Sequence, residues 1–310
     1  MATKGELLVD DLVKTLEGAI DDFDSKVPAL QSKMYKEALD LVSQLETTTS
    51  RPKKLKVSLK NMRILARIRS QMQGAIVNDS YIKEVDSYLK TWEKIDKING
   101  EYFSTITTTW KPSTVFAELK KQSIEAARER LLGSGISGSI VNRVNDILLS
   151  NITTGGNYAD FTEQLRTFLV TDENGDGALQ KYSGQIVNDS IAIYNAQYHQ
   201  LATQDLGLVW FQYVGTLKKT SRAFCKALID AKQDCMPFIH QSQIAEIVKG
   251  TICGKRVPLN EKTGLPEGMR PDTNSSNFID YRGGYRCNHS LIPVDEAIVP
   301  DELVKKYGGQ

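Results

Sequence analysis

Apolar residues recur at helical spacing through the first part of the chain. From Val9 to Met34 they alternate at intervals of four and three residues, the period of an α-helix that turns one side towards a core. Pro28 interrupts this run, because proline removes an amide donor and disfavours a helical conformation in the residue before it. We therefore expect two helices here and two more before residue 100. The predicted ranges are 5–24, 28–46, 55–76 and 80–99.

The pattern changes twice after Asn99-Gly100, which we expect to end the fourth helix. Residues 101–112 are rich in β-branched and aromatic side chains and are predicted to be a short strand or an extended linker. Residues 208–214 look like a strand, and glycine and proline are frequent after them. Further helices are predicted over 113–132, 138–150, 158–170 and 178–205.

This order of elements predicts an α+β protein with two regions. The first is helical and covers residues 1–112, either as an internal helical bundle or as a surface for partner helices. The second covers residues 113–310 and combines helices with a small sheet.

Charge and hydropathy exclude several classes of protein. There are 39 lysine and arginine residues against 38 acidic ones, a net charge of +1. This balance argues against a general nucleic-acid coat or a polybasic membrane binder, while a local basic face is still compatible with it. No apolar run approaches the roughly 18 residues of a membrane span. The acidic amphipathic start is unlike a signal peptide, so we do not expect export.

One candidate binding surface is a stripe of positive charge near residue 60. Its five residues are spaced by three or four, so on one helix they would share a face. Such a stripe suits DNA phosphates or an acidic protein surface, and a solvated helix face is the alternative. The residues are Lys53, Lys56, Lys60, Arg63 and Arg67.

Four cysteines lie in the last third of the chain, with two of the three histidines. Without a signal peptide, we expect reduced thiols or metal ligands before disulfides. Sulfur and imidazole ligands suit a tetrahedral zinc site, although the spacings are not those of a recognised zinc finger. Buried structural thiols are the alternative. These residues are Cys225, Cys235, Cys253, Cys287, His240 and His289.

Sequence motifs for catalysis are absent: there is no G-x-S-x-G, H-E-x-x-H, Walker loop or dinucleotide-binding fingerprint. A pair of Cys225 with His240 or His289 would make a Cys–His nucleophile. A non-enzymatic protein is the prediction, and a Cys–His hydrolase is the alternative.

Several residues near the C-terminus have a direct physical interpretation. Arg222 is suited to donate to backbone carbonyls or carboxylates through its planar guanidinium. Gly283 and Gly284 permit a close backbone approach or a positive φ where a long loop returns to the sheet. Cys287 and His289 are two residues apart on an expected strand, so they point to the same side and could meet Cys225.

The order of these elements resembles the C-terminal domain of the phage Mu F-like head-morphogenesis family, the minor head proteins of tailed bacteriophages. The resemblance covers about residues 120–296. It implies that residues 113–310 form a Mu F-like domain, and, since such regions are found joined to toxin domains, it adds a toxin-like transferase as an enzymatic alternative. It rests on a helix over 189–198, an aromatic strand, a Thr220-Ser221-Arg222 segment followed by Cys225, and a closing element with Gly283-Gly284 and Cys287-Asn288-His289 before Pro293-Val294. The chain departs from the family pattern in lacking an aspartate before the arginine segment and in placing Arg286 before Cys287.

The resemblance implies a structural minor head protein that binds the portal or inner capsid during head assembly or genome ejection. It implies portal and capsid proteins as partners, with packaged double-stranded DNA as a further candidate. Several copies per particle and no membrane in the assembled head are expected. The expected location is the virion, and the host cytoplasm during assembly. No cofactor is expected apart from the candidate zinc at Cys225, Cys287 and His289.

Overall fold

A computed structural model describes residues 3–173, 175–219, 221–229, 237–281, 283, 287 and 289–308. The chain is mostly helical, at 66%, and carries a small sheet of a few strands. This confirms the predicted α+β class. None of the described helices is long and apolar enough to cross a membrane.

The helices occupy most of the first 206 residues, and several begin at side-chain caps. The hydroxyl of Ser58 accepts from the amide of Asn61 at the start of the second helix. The helices are α1 (Lys4–Val42), α2 (Leu59–Ile76), α3 (Asp79–Leu89), α4 (Thr91–Ile106), α5 (Thr114–Leu132), α6 (Ser134–Ile136), α7 (Asn142–Thr154), α8 (Tyr158–Leu169), α9 (Ala178–Leu206), α10 (Ala223–Ile229), α11 (Ile244–Val248), α12 (Phe278–Tyr281) and α13 (Asp301–Tyr307). A π-helical turn over Ser137–Val141 joins α6 to α7.

The strands lie in the C-terminal third and form two small antiparallel sheets. The larger sheet has the order β2-β1-β5, with β1 in the middle, and the smaller one pairs β3 with β4. In the larger sheet Trp210 lies opposite His240 on one side and Val294 on the other. The strands are β1 (Trp210–Val214), β2 (Phe238–His240), β3 (Thr251–Ile252), β4 (Lys255–Arg256) and β5 (Ser290–Val294).

The chain forms two compact units, each built from segments that are distant in sequence. Unit 1 comprises Met1–Gly18, Thr91–Ser123 and Asn188–Gln310, and unit 2 comprises Ala19–Lys90 and Ile124–Val187. The predicted boundary between residues 112 and 113 separates a helical region from a Mu F-like domain. A division into compact units does not test where a family domain begins, so this boundary stays a prediction.

The predicted break at Pro28 is wrong, because α1 continues through it. The apolar stripe is buried on both sides of the proline, with Phe23 at 2% and Val27 at 0% exposure, followed by Leu30 and Met34. A proline inside a helix costs about 3 kcal/mol, and burying each large apolar side chain contributes about 1.5–3 kcal/mol. The continuous stripe therefore offsets the lost hydrogen bond.

The predicted helix over 80–99 is two helices, α3 and α4, and Asn99-Gly100 does not end the second one. The expectation of a strand or extended linker from residue 101 is wrong as far as Ile106, since Tyr102 and Phe103 are helical and buried. Asn99 is fully buried and uses its amide in tertiary hydrogen bonds. An interior role therefore overrides the usual preference of Asn-Gly for helix ends.

In unit 1, side chains of helices α4 and α9 form hydrogen bonds with backbone carbonyls at the outer edge of β5. The carbonyl of Pro293 accepts from the Tyr102 hydroxyl at 2.7 Å, and the carbonyl of Leu291 accepts from Nδ1 of His199 at 3.2 Å. The other ring nitrogen of His199 is hydrogen-bonded to the Asn99 amide at 2.9 Å. Since an unpaired buried carbonyl costs about 1–3 kcal/mol, these side chains hold the sheet against the helices.

Candidate metal centre

Three side chains that are far apart in sequence meet beside β1 in unit 1. Cys225 lies on α10, Cys287 follows the long loop, and His289 directly precedes β5. Their ligand atoms all lie within 4.8 Å of one another. Cys225 and His289 are buried, at 1% and 6% exposure, and Cys287 is half-buried. The three predicted ligands therefore form one cluster.

Two of the three separations between ligand atoms are close to those of a tetrahedral metal site. The two sulfur atoms are 3.7 Å apart, and the Cys287 sulfur lies 3.4 Å from Nδ1 of His289. Zinc bonds of about 2.3 Å to sulfur and about 2.0–2.1 Å to nitrogen, at tetrahedral angles, require separations of about 3.8 and 3.6 Å. A disulfide needs its sulfurs at about 2.05 Å, so these two thiols are not bonded to each other. The donor set fits zinc.

The two thiols have opposite shifts in pKa. The hydrogen bond between the two sulfur atoms raises the pKa of Cys225, and burial raises it further. The same hydrogen bond, with the nearby His289 ring, holds the pKa of Cys287 well below its usual range. The Cys287 thiol therefore loses its proton more readily than the Cys225 thiol, and the thiolate is the form in which cysteine binds metals and reacts.

Tyr213, on β1, forms one wall of the cluster. Its hydroxyl lies 3.6 Å from the Cys225 sulfur, and its ring stacks on His289 with centroids 5.6 Å apart and planes 12° apart. Gly215 follows the strand with a φ of +138°, and a Cβ there would lie 2.8 Å from the His289 ring. Together they fix the plane of the imidazole.

Arg222 and Gly283 support the cluster from the other side. The Arg222 guanidinium donates to the carbonyl of Gly283 at 2.8 Å, in line with the role expected for it. A Cβ on Gly283 would lie 2.0 Å from the Cys287 sulfur, so only glycine fits there. Gly284, the second predicted glycine, lies outside the described residues.

Gly283→Ala should disturb the cluster more than an ordinary loop substitution. The new methyl group would overlap the Cys287 sulfur, so either the loop or the thiol must move. We expect a loss of about 1–3 kcal/mol in the stability of unit 1 and weaker zinc binding. Zinc titration and thermal unfolding measure both effects. Gly254→Ala is the control, because it combines a positive φ with open space around its Cβ. Equal effects on zinc binding would contradict the proposed close approach.

A small cavity adjoins Cys287 and His289. Its volume is about 20 Å³, and Asp189 and Asp280 are among its lining residues. A water molecule needs roughly 10–15 Å³ of such volume, so the part of this cavity bounded by described residues has room for about one water.

The remaining cysteines and histidine do not join this cluster among the described residues. Cys253 is disulfide-bonded, so the expectation of reduced thiols is wrong for this residue. His240 lies at the end of β2, where its ring bonds to the Ser242 hydroxyl and packs on Trp210. Cys235 lies outside the described residues.

The five residues of the predicted basic stripe lie in unit 2, but not on one helix. Because α2 begins at Leu59, Lys53 and Lys56 precede it, and the predicted helix start at residue 55 is wrong. All five side chains are nevertheless exposed. Lys60 pairs with Glu46 at 2.7 Å, and Arg67 donates to the Gln44 side chain.

Sequence reasoning missed Tyr213 and Gly215 as parts of the site. An aromatic residue on the strand and a glycine directly after it were visible signals. Their roles depend on the return of β5 alongside β1, which brings His289 against both.

Comparisons with protein-family models, curated proteins and solved structures found no match for this chain.

Proposed function

We propose that this protein is a structural minor head protein of a tailed bacteriophage, related to the Mu F-like head-morphogenesis family. One observation carries the proposal. Cys225 and the Cys287–His289 pair, which belong to the two motifs behind the resemblance, meet in one cluster. Arg222 and Gly283 from the same motifs are hydrogen-bonded to each other. The motif residues thus act together, as expected of a shared structural element.

In this proposal the cluster is a structural zinc site that ties α10 to the end of the long loop. The burial of Cys225 and His289 supports a structural role. The small volume of the adjoining cavity supports it as well, because a substrate needs a cleft of several hundred Å³. When bound, zinc would cross-link segments that are distant in sequence. This structural role involves no catalytic step at the site.

Thiol reactivity tests the Cys–His hydrolase alternative in which Cys225 is the nucleophile. In metal-free protein at neutral pH, we expect iodoacetamide to modify Cys287 at least about tenfold faster than Cys225, since the thiolate is the reactive form. The raised pKa and burial of Cys225 make it the slower thiol. Peptide mapping by mass spectrometry gives both rates. Faster modification of Cys225 would favour a catalytic cysteine and contradict the structural role.

The proposed partners are portal and capsid proteins, with double-stranded DNA as a further candidate for the basic residues of unit 2. Replacing Lys56, Lys60, Arg63 and Arg67 by glutamate reverses the local charge. All four side chains are exposed, so the folded state should persist. We expect about tenfold less of this variant in assembled particles, as measured by mass spectrometry of particles with and without DNA.

A matched variant controls for charge reversal itself. Lys249, Lys255, Arg256 and Lys262 are exposed cations of unit 1, and their replacement by glutamate should leave incorporation unchanged. Absence of the parent protein from purified particles would overturn the minor head proposal. Normal incorporation of the first variant would leave that proposal intact and exclude only a role for the basic residues.

A further inference from the structure

Positive charge in unit 2 is concentrated in one segment. Between Glu46 and Asp79 there are eight lysine and arginine residues and no acidic residue, so the rest of the chain carries a net −7. All eight are exposed, and among the described residues only Lys60 is in an ion pair. We call this set the basic surface: Arg51, Lys53, Lys54, Lys56, Lys60, Arg63, Arg67 and Arg69.

Three large apolar side chains stand exposed among these cations. Val57 and Leu59 are each 68% exposed, and Met62 is 41% exposed. They do not belong to the core side of α2, which buries Leu65 and Ile68. On a helix, Leu59, Arg63 and Ala66 follow one another along the outward face. The basic surface therefore combines charge with protruding apolar groups.

The backbone that carries this surface is held in place from both sides. The amide of Leu55 donates to the carbonyl of Gly156, and the amide of Tyr158 donates to the carbonyl of Lys53. The buried Asn61 side chain donates to the carbonyls of Glu46 and Lys56. Since these bonds already order the segment, binding through it costs little additional backbone entropy.

We propose that the basic surface binds the surface of an anionic lipid bilayer. Clusters of four to eight lysine and arginine residues are attracted by acidic headgroups, and adjacent apolar side chains enter the boundary between headgroups and acyl chains. A DNA backbone offers phosphates but no apolar counterpart for Val57, Leu59 and Met62. A bilayer accommodates both kinds of group.

This inference goes beyond the proposed minor head function and does not depend on it. The family resemblance implies no membrane inside an assembled head, so the bilayer contact belongs to protein outside that assembly. A peripheral contact of this kind requires no membrane-spanning helix.

Sedimentation with vesicles tests the proposal. The full chain is mixed with vesicles of phosphatidylcholine alone or with 30% phosphatidylglycerol, and bound protein is measured at low and high salt. We expect binding to the anionic vesicles at least about tenfold tighter than to the neutral ones, and weakening at high salt, because the Debye length falls.

The apolar residues distinguish a bilayer from other polyanions. Leu59→Ser with Met62→Ser should weaken vesicle binding about tenfold while leaving binding to duplex DNA unchanged. Leu7→Ser with Ile298→Ser removes two equally exposed apolar side chains of unit 1 and should change neither. Leu59→Gln alone is a second variant in case the double substitution alters the circular dichroism spectrum.

Two results would overturn the proposal. One is equal or absent binding to neutral and anionic vesicles. The other is unchanged vesicle binding by both Leu59 variants, which would identify the surface as a general polyanion or DNA site.

Discussion

Protein purified in the presence of zinc should carry one zinc ion per chain, and Cys225→Ser or His289→Ala should abolish this stoichiometric binding. Each substitution removes one of three ligands whose donor atoms already lie within 4.8 Å of one another. At free zinc a thousandfold above its dissociation constant, bound metal contributes about 4 kcal/mol of stability. Its loss should lower the melting temperature of unit 1 by roughly 10 °C.

Elemental analysis and thermal unfolding with and without a chelator measure these effects. All three tryptophans, Trp92, Trp110 and Trp210, belong to unit 1, so their fluorescence follows the unfolding of that unit. His240→Asn is the control. His240 lies outside the cluster and caps a short 3₁₀ helix over Gln241–Gln243, a role that asparagine also performs. If the parent binds no stoichiometric zinc and a chelator leaves its melting temperature unchanged, the thiols serve only in packing.

His199→Ala should destabilise unit 1 by about 4 kcal/mol. The substitution leaves the carbonyl of Leu291 and the Asn99 amide without the imidazole, at about 1–3 kcal/mol each, and creates a cavity in the interior. His199 is fully buried, so water does not replace the ring without a local rearrangement. Urea unfolding followed by tryptophan fluorescence measures the change.

Gln204→Ala is the matched control on α9. Its side chain is exposed, so we expect a change within about 0.5 kcal/mol. The zinc content of His199→Ala should be unaffected under conditions where it is folded. A loss below 1 kcal/mol for His199→Ala would show that the buried hydrogen bonds contribute little to holding β5 against the helices.

The helices of the middle region were predictable because local signals agree there. The predicted ranges 158–170 and 178–205 differ by one residue from α8 and α9. Asn157 caps the first of these, whose buried residues Phe161, Leu165 and Leu169 recur at helical spacing, and Gly207 directly follows the second. The strand over β1 was visible for the same reason, since β-branched and aromatic residues cluster between glycines.

Part of the candidate site was also visible in the chain. The two-residue spacing of Cys287 and His289 predicted that they point to one side of a strand, and they do meet, although both precede β5 in the structure. Their approach to Cys225 was a hypothesis from the order of elements. The sequence gives no distance for it, because 61 residues lie between Cys225 and Cys287. Tyr213 and Gly215 entered the site through the pairing of β5 with β1.

Local composition thus specifies the types of most elements and the candidate metal ligands. Long-range packing decides where local preferences are overruled: α1 passes through Pro28 because a buried stripe continues across it, and α4 passes through Asn99-Gly100 because Asn99 bonds in the interior. It also decides that Leu59 and Met62 lie outside, although their spacing suits a core face. The spacing of apolar residues along the sequence indicates a helix. Whether each of these side chains is buried depends on which other elements pack against that helix.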